Sequence, residues 1–266
     1  MISFDPGGLA VVLLLIGLYA RAVHILHRRG WHVPRRQQAA WYWGVTMIAI
    51  GLLGPLDHLA GQMLTAHMAQ HILVADLAAP FLLAGVRTPV LVFIPPRPLL
   101  VWLAHRRTLR AVFRFLRRPL VAVPVYIAIF YTWHFAFAFD AALNNDWLHA
   151  IQHQSFLAIA VLLWWPLIEP MKRRMPGELW KIGYVLGTRL LVMFVGVSLV
   201  ISRHPAYSYY ADRGNTHGLT PLTDQQLAGG LMMSVDVIVM MAALAYFFWH
   251  AAAEADRAER TAAAAG

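Results

Sequence analysis

The sequence predicts an all-α membrane protein, a single bundle of about seven transmembrane helices. Three observations carry this. Hydrophobic residues make up 59% of the 266 residues and charged residues 13%, against about 25% charged in an ordinary soluble domain. Apolar runs recur at 8–26, 39–56, 61–84, 119–138, 148–168, 179–201 and 226–249, each near the ~20 residues that a helix needs to cross the hydrocarbon core. The breaks between the runs alternate in charge, as the positive-inside rule requires.

Taken in order, the first run starts after Asp5 with no Lys or Arg before it and ends among Arg21, Arg28 and Arg29. That order reads as a retained helix with its N-terminus outside, since a cleaved signal peptide has its basic residues first. The break after the first run carries Arg28, Arg29, Arg35 and Arg36. The break after the third carries Arg97, Arg106, Arg107, Arg110, Arg114, Arg117 and Arg118, and that after the fifth Lys172, Arg173 and Arg174. The breaks after the second and fourth runs have no Lys or Arg. After the sixth run, Arg203 and Arg213 are offset by Asp212 and Asp224. The C-terminus is therefore expected in the cytoplasm. Between the third and fourth spans, 98–117 mixes Leu99, Trp102, Val112 and Phe113 with arginines, the pattern of an amphipathic helix on the inner interface. Asn145 or Asp146 can cap the fifth helix. Residues 1–250 form the bundle, and 251–266 a charged, Ala-rich tail with a frayed helical end.

The net charge is +9. It gathers in the breaks, where it meets anionic lipid at the cytoplasmic face, and not along a solvated stripe as in a nucleic-acid binder. The chain has no cysteine, so disulfides and thiolate chemistry are excluded and any soft ligand must come from its 11 methionines.

The histidines carry the functional signal. His67 and His71 are four apart in one apolar helix, and His149 and His153 four apart in another. An i, i+4 spacing puts both imidazoles on one helix face. His134 ends a further helix, His58 precedes the first pair, and all six fall on the expected outer side. Met63 adds a thioether four residues before His67, and Asp57 a carboxylate able to ligate or to orient a ring N–H. Imidazole suits copper and zinc, and thioether favours Cu(I). A lone membrane histidine often only bonds a neighbouring helix, but two spaced pairs on one side point to a metal site. The metal ligands expected are therefore His67, His71, His134, His149, His153, Asp57, Met63 and His58, with copper as the ion and zinc as the alternative.

Two other chemistries fit some of these residues. Three histidines and an Asp can hold a zinc ion that activates water, and Ser155 lies near His153, which would make a membrane-embedded zinc hydrolase. His71 and His153 on facing helices could ligate a b-type heme axially. Deeper in the bundle stand Asp76, Arg189 and Asp236, where unpaired charge is costly, so Arg189 is expected to pair with Asp236, Asp76 or both. Met232, Asp236 and Met240, also four apart, could form a Cu(I) path or simply fill the core.

The runs HMAQHILVADLAAPFLLAG (67–85), YTWHFAFAFDAALNNDWLHAIQHQSFLAIAVLLWWPLI (131–168) and DQQLAGGLMM (224–233) resemble the polytopic CtaG-type assembly factors associated with caa-type cytochrome c oxidases. The resemblance covers almost the whole chain in order. It departs from the family at Met233-Ser234, near which a Trp is expected. It implies a multi-pass protein of the bacterial inner membrane, not an enzyme. Such a protein would help mature a heme–copper oxidase by supporting copper delivery and have an oxidase subunit as partner. The family's histidines carry over onto His67, His71, His134, His149 and His153.

Overall fold

The structure, a computed structural model, describes residues 6–171 and 178–265. Asp5 and the basic residues Lys172, Arg173 and Arg174 lie outside the described residues. Among the described residues every regular element is helical. In chain order these are α1 (Pro6–Arg28), α2 (Arg35–Leu53), α3 (Pro55–Ala60) and α4 (Leu64–His71). A π-helical turn (Ile72–Leu77) runs on from α4 into α5 (Ala78–Gly85). Then come α6 (Val90–Phe93), α7 (Arg97–His105), α8 (Arg107–Leu116), α9 (Pro119–His134), α10 (Ala136–Leu143) and α11 (Asp146–Ile168). Last are α12 (Leu179–Ile201), α13 (Ser208–Ala211) and α14 (Pro221–Ala265).

Five stretches are long and apolar enough to cross a membrane: Gly7–Arg28, Leu64–Gly85, Asp146–Ile168, Leu179–Ile201 and Pro221–Thr261. A sixth appears if α9 and α10 are joined across their 69° bend, so five or six candidate spans stand where seven are expected from sequence. The difference is α2. It is a helix of 19 residues, but its first turn is Arg35-Arg36-Gln37-Gln38 and its composition falls short. That turn is used for packing: Gln37 Nε2 donates to the carbonyls of Gly85 (2.9 Å) and Arg87 (3.0 Å). The bend after His134 arises because Phe135 is extended (φ −68°, ψ 137°), which stops α9 before α10 begins.

Small residues let the long helices approach. A Cβ on Gly85 would stand 2.6 Å from Trp41 Cβ, and one on Gly229 2.6 Å from the Gly196 carbonyl, so α2–α5 and α12–α14 pack nearly backbone to backbone. Tyr19 stacks on Trp41 at 4.7 Å and donates to the Gly85 carbonyl at 3.1 Å, which ties α1 to the same seam.

The arginine-rich stretch is two helices, not the single one expected. Arg106 (φ −87°, ψ 81°) breaks α7 from α8, and neither contains a buried residue. Arg117 lies over the rings of Phe113 (4.8 Å) and Trp165 (5.1 Å), which fastens the end of α8 to α11. α14 is helical to Ala265.

Candidate functional site

The two histidine pairs meet at one end of the bundle. α4 contributes His67 and His71, α11 His149 and His153. The four rings touch: centroids are 4.3 Å apart for His67–His71, 4.4 Å for His149–His153, 4.7 Å for His71–His153 and 5.3 Å for His67–His149. His67, His71 and His153 are buried. Within each pair the Nε2 atoms face one another, at 3.0 Å for His149–His153. The Nδ1 atoms of His71 and His153 are buried with no hydrogen-bond partner among the described residues, and the His67 ring meets only the Ala60 backbone on that side. Such orphaned lone pairs or N–H groups are rare inside proteins and call for a ligand or a functional reason. The nitrogens point at each other and do not converge: among the described residues no group of three or more His, Asp or Glu side chains stands in metal-holding geometry.

The other expected ligands are placed less uniformly. His134 stands outside the four-ring contact, its Nδ1 against the Phe130 carbonyl (2.7 Å), and Phe156 packs on both it and His71, with ring distances of 5.8 and 4.7 Å. Asp57 accepts from Gln70 Nε2 at 2.8 Å and lines, with Asp146, His149 and His153, a cleft of about 440 Å³. Met63 is extended (φ −134°, ψ 133°) and precedes α4, so it does not continue the His67–His71 stripe. His58 is exposed and bonded to Gln62 Nε2 (2.8 Å), outside the ring contacts. Asn145, not Asp146, caps α11, accepting from the Trp147 and Leu148 amides at 3.0 and 3.1 Å.

Sequence reasoning missed two residues here. Gln70 and Gln152 are fully buried, one beside each pair. Gln70 Nε2 reaches the Gly51 carbonyl at 2.9 Å as well as Asp57, whereas Gln152 has no hydrogen-bond partner for either amide atom among the described residues. The signal was legible, since His-x-x-Gln-His occurs at both 67–71 and 149–153.

A cover over this end comes from the segment between α12 and α14. Asp140 on α10 accepts from Ser208 N (3.1 Å), Ser208 Oγ (2.7 Å) and Tyr209 N (3.2 Å). This sets Tyr207 on Phe139 at 4.0 Å between centroids, with its hydroxyl donating to the His134 carbonyl at 3.1 Å. Tyr210 donates to the Ala60 carbonyl at 2.6 Å and closes over His67. Burial pushes the ionisation of both hydroxyls up, so they stay donors.

Below the histidines, Arg189 Nη1 meets both expected partners, Asp76 at 2.8 Å and Asp236 at 2.9 Å. The Asp236 contact is also a hydrogen bond; the Asp76 contact is ionic but not aligned as one. The π turn explains how Asp76 arrives there. In an α-helix, residues five apart lie about 140° round the axis. A π turn bonds i to i+5 and brings them towards one side. His71 and Asp76 accordingly line one small cavity, of about 40 Å³, with His134, Tyr126, Met232 and Asp236.

The alternative chemistries find little here. Ser155 is tied between Trp133 Nε1 (2.8 Å) and the Gln152 carbonyl (2.8 Å), a structural hydroxyl bonded to no basic side chain among the described residues. His71 and His153 stack directly, with no slot for a porphyrin between them.

Helices of spanning length around a polar interior define a multi-pass membrane protein. The chain belongs to the cytochrome c oxidase caa3 assembly factor family, whose model matches residues 17–254, and is a bacterial membrane protein. It is also 28% identical over 136 residues to uncharacterized proteins of Mycobacterium bovis and Mycobacterium tuberculosis. Those matches cover 49% of this chain and 20% of each relative, so the chain spans about a fifth of their length. No solved structure matches.

Proposed function

We propose that this protein takes up copper as cargo at the His67, His71, His149 and His153 imidazoles and supports its delivery to the copper centre of a heme–copper oxidase subunit. The observation that carries this is the contact of four imidazole rings from two helices, two of them with an Nδ1 that has no partner among the described residues. Copper entry exchanges the Nε2–Nε2 contacts for nitrogen–metal bonds by rotation of the rings. His134 and Asp57 act from the next layer, Asp57 through Gln70. Met63 and His58 serve at the approach to the site. A site that must rearrange to load also releases, as a carrier needs.

In this reading the histidine end faces the periplasm, the C-terminus is cytoplasmic, and α2 completes seven spans when packed against α5. α7 and α8 lie on the inner interface, with their arginines among anionic headgroups and Trp102, Val112 and Phe113 in the acyl boundary. The described residues up to 250 form the bundle, and those beyond it a charged, Ala-rich tail. The protein is not an enzyme.

The test is metal content and visible spectrum of the purified protein beside a His67→Ala/His71→Ala variant. Copper bound by the wild type and lost in the variant, with no Soret band, is the expected result. No metal in either after copper addition would overturn it. Stoichiometric zinc would favour the hydrolase reading, and a Soret band the heme reading.

A further inference from the structure

The buried charges below the histidines do not balance. One guanidinium, Arg189, stands between two carboxylates, Asp76 and Asp236, so the ionised triad carries one excess negative charge. Arg189 and Asp236 are 2% and 3% exposed, deep in spanning helices. An uncompensated charge in such surroundings is strongly unfavourable, and a group placed there takes up a proton to become neutral. Two carboxylates against one cation are the arrangement in which one holds a proton more tightly.

The atoms agree with this. Asp236 Oδ2 and Arg189 Nη2 are buried with no hydrogen-bond partner among the described residues. Asp236 and Asp76 both border the 40 Å³ cavity, which has room for a water but not for a side chain. Asp76 also borders a groove of about 580 Å³ between α5, α11 and α14, reaching Arg87 and Tyr246. With 16% of its side chain accessible against 4% for Asp236, Asp76 is the less enclosed of the two carboxylates. The ionisable groups around the pair are Arg189 from α12, Tyr126 and His134 from α9, His71 from α4, and Arg87 and Tyr246 across the groove. From α11 the Trp164 ring lies 5.5 Å from the Arg189 guanidinium, and Phe156 borders the cavity.

We propose that Asp76 and Asp236 together hold one exchangeable proton, which makes the Arg189 triad a proton-binding site in the middle of the bundle. The site does not depend on which ion, if any, the histidines hold.

Infrared difference spectroscopy of the full-length protein in lipid nanodiscs tests it. The expected result is a protonated-carboxylic-acid carbonyl band at neutral pH that shifts in D2O and is lost in both Asp76→Asn and Asp236→Asn. Either substitution leaves a neutral one-to-one pair, so the remaining carboxylate ionises. No band in the wild type, or a band that survives either substitution, overturns the proposal. Thermal unfolding gives a second readout. Each single Asn variant should unfold at or above the wild-type temperature, and the double variant, which strands Arg189, well below it. Single variants as unstable as the double would show that both carboxylates are needed charged, and the proposal would fall.

Discussion

The Asp224 carboxylate caps the helix that carries His67: its Oδ2 accepts the Leu64 amide at 2.6 Å from 160 positions away in the chain. Its Oδ1 takes the Thr65 amide (3.1 Å) and hydroxyl (2.6 Å). The first amides of a helix have no partner within it, and Met63, at the cap position, offers no side-chain acceptor. Asp224 therefore satisfies α4 from α14 and places a negative charge at its positive end. An Asp224→Ala variant should lose about 1–2 kcal/mol, at the upper end for a cap because the site is buried. Thermal unfolding in detergent measures this, and an unchanged midpoint would remove the cap from any stabilising role.

Arg189 is the sole cation among the described residues within 4 Å of either Asp76 or Asp236. Arg189→Met leaves two carboxylates buried together and should cost about 3–5 kcal/mol. Arg189→Lys keeps the charge but loses the planar fork, and should retain part of it. A Met variant as stable as the wild type would show that the triad does not lock α12 to α14 and the π turn.

Copper uptake by the histidines should weaken on acidification. A proton and a metal ion compete for the same imidazole lone pair, so each step down in pH moves occupancy from metal to proton. Competition titration with a copper chelator across a pH series reads this directly. A flat profile would assign any bound copper to another ligand type.

The tyrosine cover should loosen at high pH. Burial raises the Tyr207 and Tyr210 ionisations above the ordinary value near 10. Above that value the unfolded chain releases these protons while the folded one keeps them, so stability is full below about pH 10 and falls as pH rises further. The fall should be shallower in Tyr210→Phe, which gives up the bond to the Ala60 carbonyl but has no proton to lose. An identical slope in variant and wild type would place the alkaline loss elsewhere.

Much of the site was legible because it is local. His67 with His71, and His149 with His153, lie on common faces because four residues make just over one helical turn. Pairing of Arg189 followed from the cost of an isolated charge at membrane depth. Met63 falls off the His67–His71 stripe because helical spacing was extended one residue past the start of α4. His134 was grouped with the pairs by side of the membrane and by the family resemblance, and the Phe156 ring that packs on both it and His71 belongs to another helix. The bend at Phe135 left no proline or glycine at that residue to read.

By itself the sequence determined a helical membrane protein, most of its spans, its family and its two histidine faces. Run length, charge alternation and helical period act within a few turns of one chain. Tertiary structure alone decided that the two faces meet, that Asp224 caps α4 and that a π turn carries Asp76 to Arg189. Those outcomes depend on which helices lie side by side, and in a bundle that is set by close glycine contacts and buried polar partners far apart in sequence.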